Sequence, residues 1–263
     1  MTFWISLAIG LLAGFFGGLV GLGGGVVIVP LLTGWMHLSQ HKAHATSLVA
    51  VVFTGLLGAL AYSQGGAVNW LAALLLTLAA TLATTLSARF ARHVPAAMLR
   101  RLFGYLLIIT GLLLPLEGLL PPLGFADSAV LMPLVLLVGG LVVGSVSGLL
   151  GIGGGSIMVP LLVLALGFDQ HLAQGTSLAA MIPAALGGSI VHWRMGSVAK
   201  GLVVSLVVGV AAGSWFGGSF ALAIPDLWLQ LIFALVMIWL GLRYVLRSGA
   251  RKRAEESAAS PSS

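Results

Sequence analysis

Apolar residues run along this chain in long blocks separated by short polar stretches, and the blocks are too long for buried strands. Ten segments stand out: roughly 2–20, 26–38, 43–63, 67–88 and 95–116, then 128–150, 156–168, 173–193, 198–222 and 227–247. Most match the about 20 residues that a helix needs to cross ~30 Å of hydrocarbon. The second segment of each set is shorter. Thirteen residues at ~1.5 Å apiece reach only about 20 Å. With its predecessor, each short segment predicts a helical hairpin whose glycine-rich apex lies within the bilayer.

The two sets of five are copies. Shifted by 130 residues, Leu11–Leu48 matches Leu141–Leu178 at 18 of 38 positions without a gap. Gly21-Leu22-Gly23-Gly24-Gly25 returns as Gly151-Ile152-Gly153-Gly154-Gly155, and Val29-Pro30-Leu31-Leu32 as Val159-Pro160-Leu161-Leu162. Gln40-His41 returns as Gln170-His171, and Thr46-Ser47-Leu48 as Thr176-Ser177-Leu178. Duplication of this kind is common in secondary transporters. Whether a hairpin counts as two crossings or none, each unit crosses an odd number of times, so the units are expected to be inverted. The expected organisation is 1–127 as the first repeat, 128–248 as the second, and 249–263 as a disordered cytoplasmic tail. The first apolar segment lacks a basic leader and shares the internal glycine pattern, so it is read as part of the fold rather than a signal peptide.

Charge placement agrees. With 89–101 (Arg89, Arg92, Arg100, Arg101) in the cytoplasm, the other basic residues follow: Lys42, Arg194, Lys200, Arg243, Arg247, Arg251, Lys252 and Arg253. All 12 basic residues then lie inside, and Glu117, Asp127, Asp169 and Asp226 lie outside. That is the positive-inside rule without exception. It predicts a multi-pass protein of a bacterial inner membrane with both termini cytoplasmic. Composition fits: 59% of residues are hydrophobic and 7% charged, against about a quarter charged in a soluble domain. The net charge of +6 therefore reports orientation rather than nucleic-acid binding. The absence of cysteine excludes thiol catalysis, disulfides and cysteine-ligated metal, and no cofactor is expected. Nothing resembles a nucleophile–base pair, so no enzymatic activity is expected either.

No acid or base lies deep in a segment, so a substrate site must rest on backbone dipoles, hydroxyls, amides and His. That suits an anion. The apices Gly23, Gly24, Gly25 and Gly153, Gly154, Gly155 precede the short helices, whose N-termini present unpaired N–H groups and partial positive charge. They serve equally as tight turns. Gly10, Gly14, Gly18, Gly140, Gly144 and Gly148 have the four-residue spacing of a helix-packing face. Gln40, His41, Thr46 and Ser47, with Gln170, His171, Thr176 and Ser177, open the third segments. They read either as donors lining a pathway or as helix-start and interface residues. His37, His44, His93 and His192 read as interfacial, and Trp4, Trp70, Trp193 and Trp228 as interface anchors.

The paired Gly-Leu-Gly-Gly-Gly-x4-Pro-Leu-Leu and Ala-x-x-Thr-Ser-Leu motifs resemble the sulfite exporter TauE/SafE family over nearly the whole chain. The copy Ala173-Gln174-Gly175-Thr176-Ser177 fits best; Ala45 stands where Gly is usual. The resemblance implies export of sulfite or small organosulfonates, coupled to an ion gradient. The residues themselves leave an anion channel and a non-transporting scaffold subunit as alternatives. The expected partners are a small oxyanion and the lipid bilayer, not nucleic acid. Proton or sodium as coupling ion, and a homo-oligomer, stay open.

Overall fold

The computed structural model describes residues 2–90, 96–119, 125, 128–150 and 154–259. Among these there are ten α-helices, one 3-10 helix and no strand. The helices are α1 (Thr2–Val20), α2 (Gly25–Gly34), α3 (Gln40–Gln64), α4 (Trp70–Phe90), α5 (Ala96–Leu113), α6 (Leu131–Leu150), α7 (Gly155–Leu166), α8 (Gln170–Arg194), α9 (Lys200–Leu222) and α10 (Asp226–Ala259). The 3-10 helix, Leu114–Leu119, follows α5. Each expected apolar segment corresponds to one helix.

The differences lie at the ends and have local causes. α2 and α7 are even shorter than expected, at 10 and 12 residues, or about 15 and 18 Å of rise. Gly167, with φ +64°, stops α7 in a left-handed cap whose N–H reaches the Leu162 and Val163 carbonyls, a favoured way to satisfy the last turn. Ser39 caps α3 through the Lys42 N–H, and Asp169 caps α8 through the Leu172 N–H at 2.8 Å. α10 continues to Ala259, so residues 249–259, expected to be unstructured, are helical. Their Ala, Arg, Lys and Glu content favours helix even without packing.

Among the described residues, five helices are long and apolar enough to cross a membrane: Thr2–Val20, Gln40–Gln64, Gln170–Arg194, Lys200–Leu222 and Asp226–Leu246. The surface is apolar as well. Leu74, Leu78 and Leu82 on α4, Val204 and Val208 on α9, and Leu235, Trp239, Leu242 and Leu246 on α10 all point outward. Such a girdle would aggregate in water, and in lipid it needs no cover. Trp4, Trp70, Trp193 and Trp228 are exposed at helix ends.

Helices pack across the two halves of the sequence. α1 lies on α9, α4 on α6, α3 on α8 and α5 on α10, while α2 and α7 sit against α3 and α8. The glycine stripes set two of these contacts. A Cβ on Gly10, Gly14 or Gly18 would run into the backbone of α9 at Leu206, Val210 or Ser214. One on Gly140 or Gly144 would meet α4 at Leu76 or Ala80. Leu206 and Val210 are the 130-residue counterparts of Leu76 and Ala80, so both interfaces use the same register. Without side chains between them the backbones approach to van der Waals contact, the main source of helix association in lipid.

Candidate functional site

The first apex is a tight turn: Gly21, Gly23 and Gly24 have φ of +72°, +75° and +71°, a region where other residues are strained. The Gly24 carbonyl accepts the Val27 and Ile28 N–H groups and so opens α2. Protein closes around the turn. A Cβ on Gly17 of α1 would lie 2.6 Å from the Gly24 nitrogen, and one on Gly24 2.8 Å from the Ala13 carbonyl. A Cβ on Gly23 would strike the terminal methyl of Met181, and one on Gly25 would come within 3.3 Å of Val51.

In the second copy Gly153 lies outside the described residues. Gly154 is right-handed, with φ −66°, and its carbonyl accepts the Ile157 and Met158 N–H groups. Gly155 is buried. A Cβ there would be 2.8 Å from the Gly21 carbonyl, 2.9 Å from the Met181 sulfur and 3.2 Å from the Leu22 Cα. The first glycine turn therefore meets the start of α7, Gly21-Leu22 against Gly155, with Met181 of α8 touching both.

The remaining expected residues divide between this junction and other duties. Ser177 is fully buried and donates to the Gly21 carbonyl at 3.0 Å and to Gln174 at 2.9 Å. Ser47, its counterpart, bonds to the His44 carbonyl at 2.8 Å. Thr46 accepts the Ala199 N–H at 3.0 Å, and Thr176 accepts the Asn69 N–H at 2.9 Å. These two bonds are 130-residue counterparts, each holding the turn before α9 or α4. Gln40 and His41 are exposed at the start of α3. Gln170 is fully buried with both amide atoms unpartnered. His171 sits elsewhere, its Nδ1 3.0 Å from an Asp226 carboxylate oxygen and its Nε2 3.1 Å from the Ala221 and Ile224 carbonyls.

Three residues at the junction were missed by sequence reasoning. Gln174 is fully buried and lies against Gly21; Tyr62 donates to its Oε1, while its Nε2 has no partner. Ser156, next to Gly155, is buried with its hydroxyl unpartnered. Buried polar groups are nearly always paired, so two unpaired ones beside the contact of Gly21 with Gly155 mark it as a candidate site, as the unpartnered amide of Gln170 does not, being a single residue. The signal was available: position 174 belongs to the best-matching motif, and Ser156 replaces the Val26 of the first copy. Gly175 also has a reason. A Cβ there would enter the Ala67 carbonyl and approach Tyr62 to 2.7 Å.

Two other features fall short as anion or metal sites. An open groove of about 360 Å³ between α6 and α7 is lined by Leu134, Val138, Gly139, Val142, Ile157, Leu161 and like residues, and it offers no donor to an anion. Asp169, His171 and Asp226 lie close enough to share a metal ion. Their atoms are already engaged, however: Asp169 and Asp226 accept from N–H groups in the first turn of α8, and both nitrogens of His171 face acceptors. Nearby, partial burial raises the Glu117 carboxyl above its usual value, and Asp226 and Asp169 add to this, against a 2.9 Å bond from Gln230.

A bundle of apolar-surfaced helices, around a buried polar junction with no fixed charge, defines a polytopic membrane protein. The chain belongs to the sulfite exporter TauE/SafE family, whose model matches residues 1–114 and 136–263. It is 31% identical to the Bacillus subtilis "Probable membrane transporter protein YunE" over 246 residues, 85% of this chain and 89% of that one. It is 29% identical to a "Probable membrane transporter protein" of Xylella fastidiosa (strain Temecula1 / ATCC 700964), covering 94% and 96%. A protein of the same description from Haemophilus influenzae is 28% identical, covering 92% and 98%. No solved structure matches significantly.

Proposed function

We propose that this protein is a secondary transporter exporting sulfite or small organosulfonates across a bacterial inner membrane by alternating access. In this reading the two halves are inverted repeats with both termini in the cytoplasm, and the anion binds where the hairpins meet. Its donors are Gln174 and Ser156, with the first backbone N–H groups of α7, whose helix dipole favours negative charge; Ser177, whose hydroxyl donates to the Gly21 and Gln174 carbonyls, holds the turn. The observation that carries the reading is the pair of unpartnered buried groups, Gln174 Nε2 and Ser156 Oγ, beside Gly21 and Gly155. A compact oxyanion would supply the acceptors they lack, and the site holds no ammonium or guanidinium that would trap it. The antiparallel contact of the counterpart helices α3 and α8, with Tyr62 meeting Gln174 at one end and His44 meeting His192 at the other, supports the inverted arrangement.

The test is counterflow of labelled sulfite, methanesulfonate and sulfate in proteoliposomes. Exchange of sulfite or methanesulfonate is expected. If neither is exchanged, the substrate assignment is wrong, and if flux never exceeds passive equilibration, the protein is a channel.

A further inference from the structure

Gln174, the donor placed at the junction, has His44 as its 130-residue counterpart, and Tyr62, which bonds to Gln174, has His192. The structure keeps both pairs together. At the other end of the α3–α8 contact the His44 and His192 rings stand 6.3 Å apart, and His41 lies 5.9 Å from His192. The backbone repeats as well: Ser47 bonds to the His44 carbonyl as Ser177 does to that of Gln174. Where one copy holds an amide donor, the other therefore holds a cluster of imidazoles.

His192 Nδ1 is buried without a partner, whereas both nitrogens of His171, the counterpart of His41, face acceptors in the protein. A buried polar atom left unpaired is the exception in folded proteins, and the surroundings here set the charge of a ligand that would pair it. α1, α2, α3, α4, α7, α8 and α9 contain no Asp or Glu. Asp226 of α10 bonds to Gln170, at the far end of α8. The charged side chains at the histidine end are cationic: Lys42 on α3, Arg194 on α8, and Lys200 on α9, whose ammonium lies 5.6 Å from the Trp193 ring. α1, α2 and α7 add no titratable side chain, α4 adds only Arg89, and His37 lies in the turn before α3. Rings at these separations can both reach one small oxyanion, because charged N–H donors sit about 2.8 Å from the oxygens they serve. His44 and His192 are half-buried, which favours a small free anion over a lipid headgroup.

We infer that His41, His44 and His192 form a second oxyanion site, separate from the junction, which takes up the anion at the basic end of the molecule. Its use rests on the transport reading above: in the proposed orientation this end faces the cytoplasm, where an anion bound for export enters. The imidazoles charge from water on that side and return their protons there when the anion moves on.

The test is NMR of the full chain in phosphatidylcholine nanodiscs, with isotope-labelled histidine and signals assigned by single substitutions. Methanesulfonate, which stays ionised throughout, should shift the His44 and His192 signals saturably, with affinity rising about tenfold from pH 8 to pH 6 as the imidazoles charge. In Gln174→Leu, which lacks the junction donor, these shifts should persist within about twofold of the parent's affinity, as for separate sites. The fold already accommodates Gln and Tyr at the counterpart positions. The double variant His44→Gln, His192→Tyr should therefore keep calorimetric binding at the junction and lose its dependence on pH. Histidine signals indifferent to methanesulfonate overturn the inference, as does binding to the double variant that still follows pH. Shifts that vanish in Gln174→Leu overturn it too, because the imidazoles would then only sense the junction. Signals moved by added phosphatidylglycerol and not by methanesulfonate make the cluster a lipid seat, and the inference falls. A parent with the expected shifts but no counterflow of methanesulfonate or sulfite keeps the site and loses the transport reading.

Discussion

At the scale of single residues, hydroxyls expected to act alike in Thr46, Ser47, Thr176 and Ser177 have distinct partners. Thr46 and Thr176 each accept a backbone N–H from a turn on the opposite half. Ser177 bonds to the Gly21 apex, whereas Ser47 bonds only within its own helix. Function should divide along the same line. Gln174→Leu removes a donor to a charged ligand, worth ~1.5–3 kcal/mol, so anion affinity should fall about 10- to 150-fold. Thr176→Val instead strands the Asn69 N–H, which should lower stability by about 1–3 kcal/mol and leave affinity close to the parent's. Calorimetric titration of purified protein, with thermal unfolding alongside, separates the two. A Gln174→Leu protein that binds like the parent would move the site away from the junction.

Helices, rather than residues, are what the sequence displayed most plainly. All ten apolar segments correspond to helices: a backbone in lipid satisfies its hydrogen bonds only as a helix or in a closed barrel, and unbroken apolar blocks suit the helix rather than the alternating strands of a barrel. The four-residue glycine spacing also read through to contact, at Gly10, Gly14, Gly18, Gly140 and Gly144; the surroundings of Gly148 lie outside the described residues. The junction was far less legible. Gln174 and Ser156 are ordinary polar residues in the sequence, and only the approach of Gly21 to Gly155, 134 positions apart, gives them a role. His44 and His192 looked interfacial for the same reason: their proximity is tertiary. Element packing yields its own expectation. Gly144→Ala would press a methyl into the Ala80 backbone, and overpacking of this kind costs about 1–3 kcal/mol. Gly187→Ala, with nothing within 4 Å, should be tolerated. The melting temperature in detergent should drop for the first variant and hold for the second; equal behaviour would mean that the α4–α6 contact yields more easily than its geometry indicates.

For the whole molecule, one arrangement accounts for the exchanged helix pairs, the matched Thr46–Ala199 and Thr176–Asn69 bonds, and the placement of charge. If each unit crosses an odd number of times, counterpart helices run in opposite directions, and each threonine secures the turn entering the other unit's fourth helix. The basic residues then gather on one side and the acidic residues Asp169, Asp226 and Glu117 on the other, so the His44–His192 pair lies on the basic side and Tyr62 and Gln174 on the acidic side. Because the chain has no cysteine, single introduced cysteines report sidedness directly. Gln64→Cys, at the exposed end of α3, should react with an impermeant maleimide added to intact cells. Ser257→Cys, near the end of α10, should react only after the membrane is opened. The counterpart of Gln64 is Arg194, at the exposed end of α8, and Arg194→Cys should be protected like Ser257→Cys. Labelling of Gln64→Cys and Arg194→Cys from the same side would mean that the two copies run parallel. The shared glycine register would survive that result, but the opposite placement of the Tyr62–Gln174 and His44–His192 pairs would have no explanation.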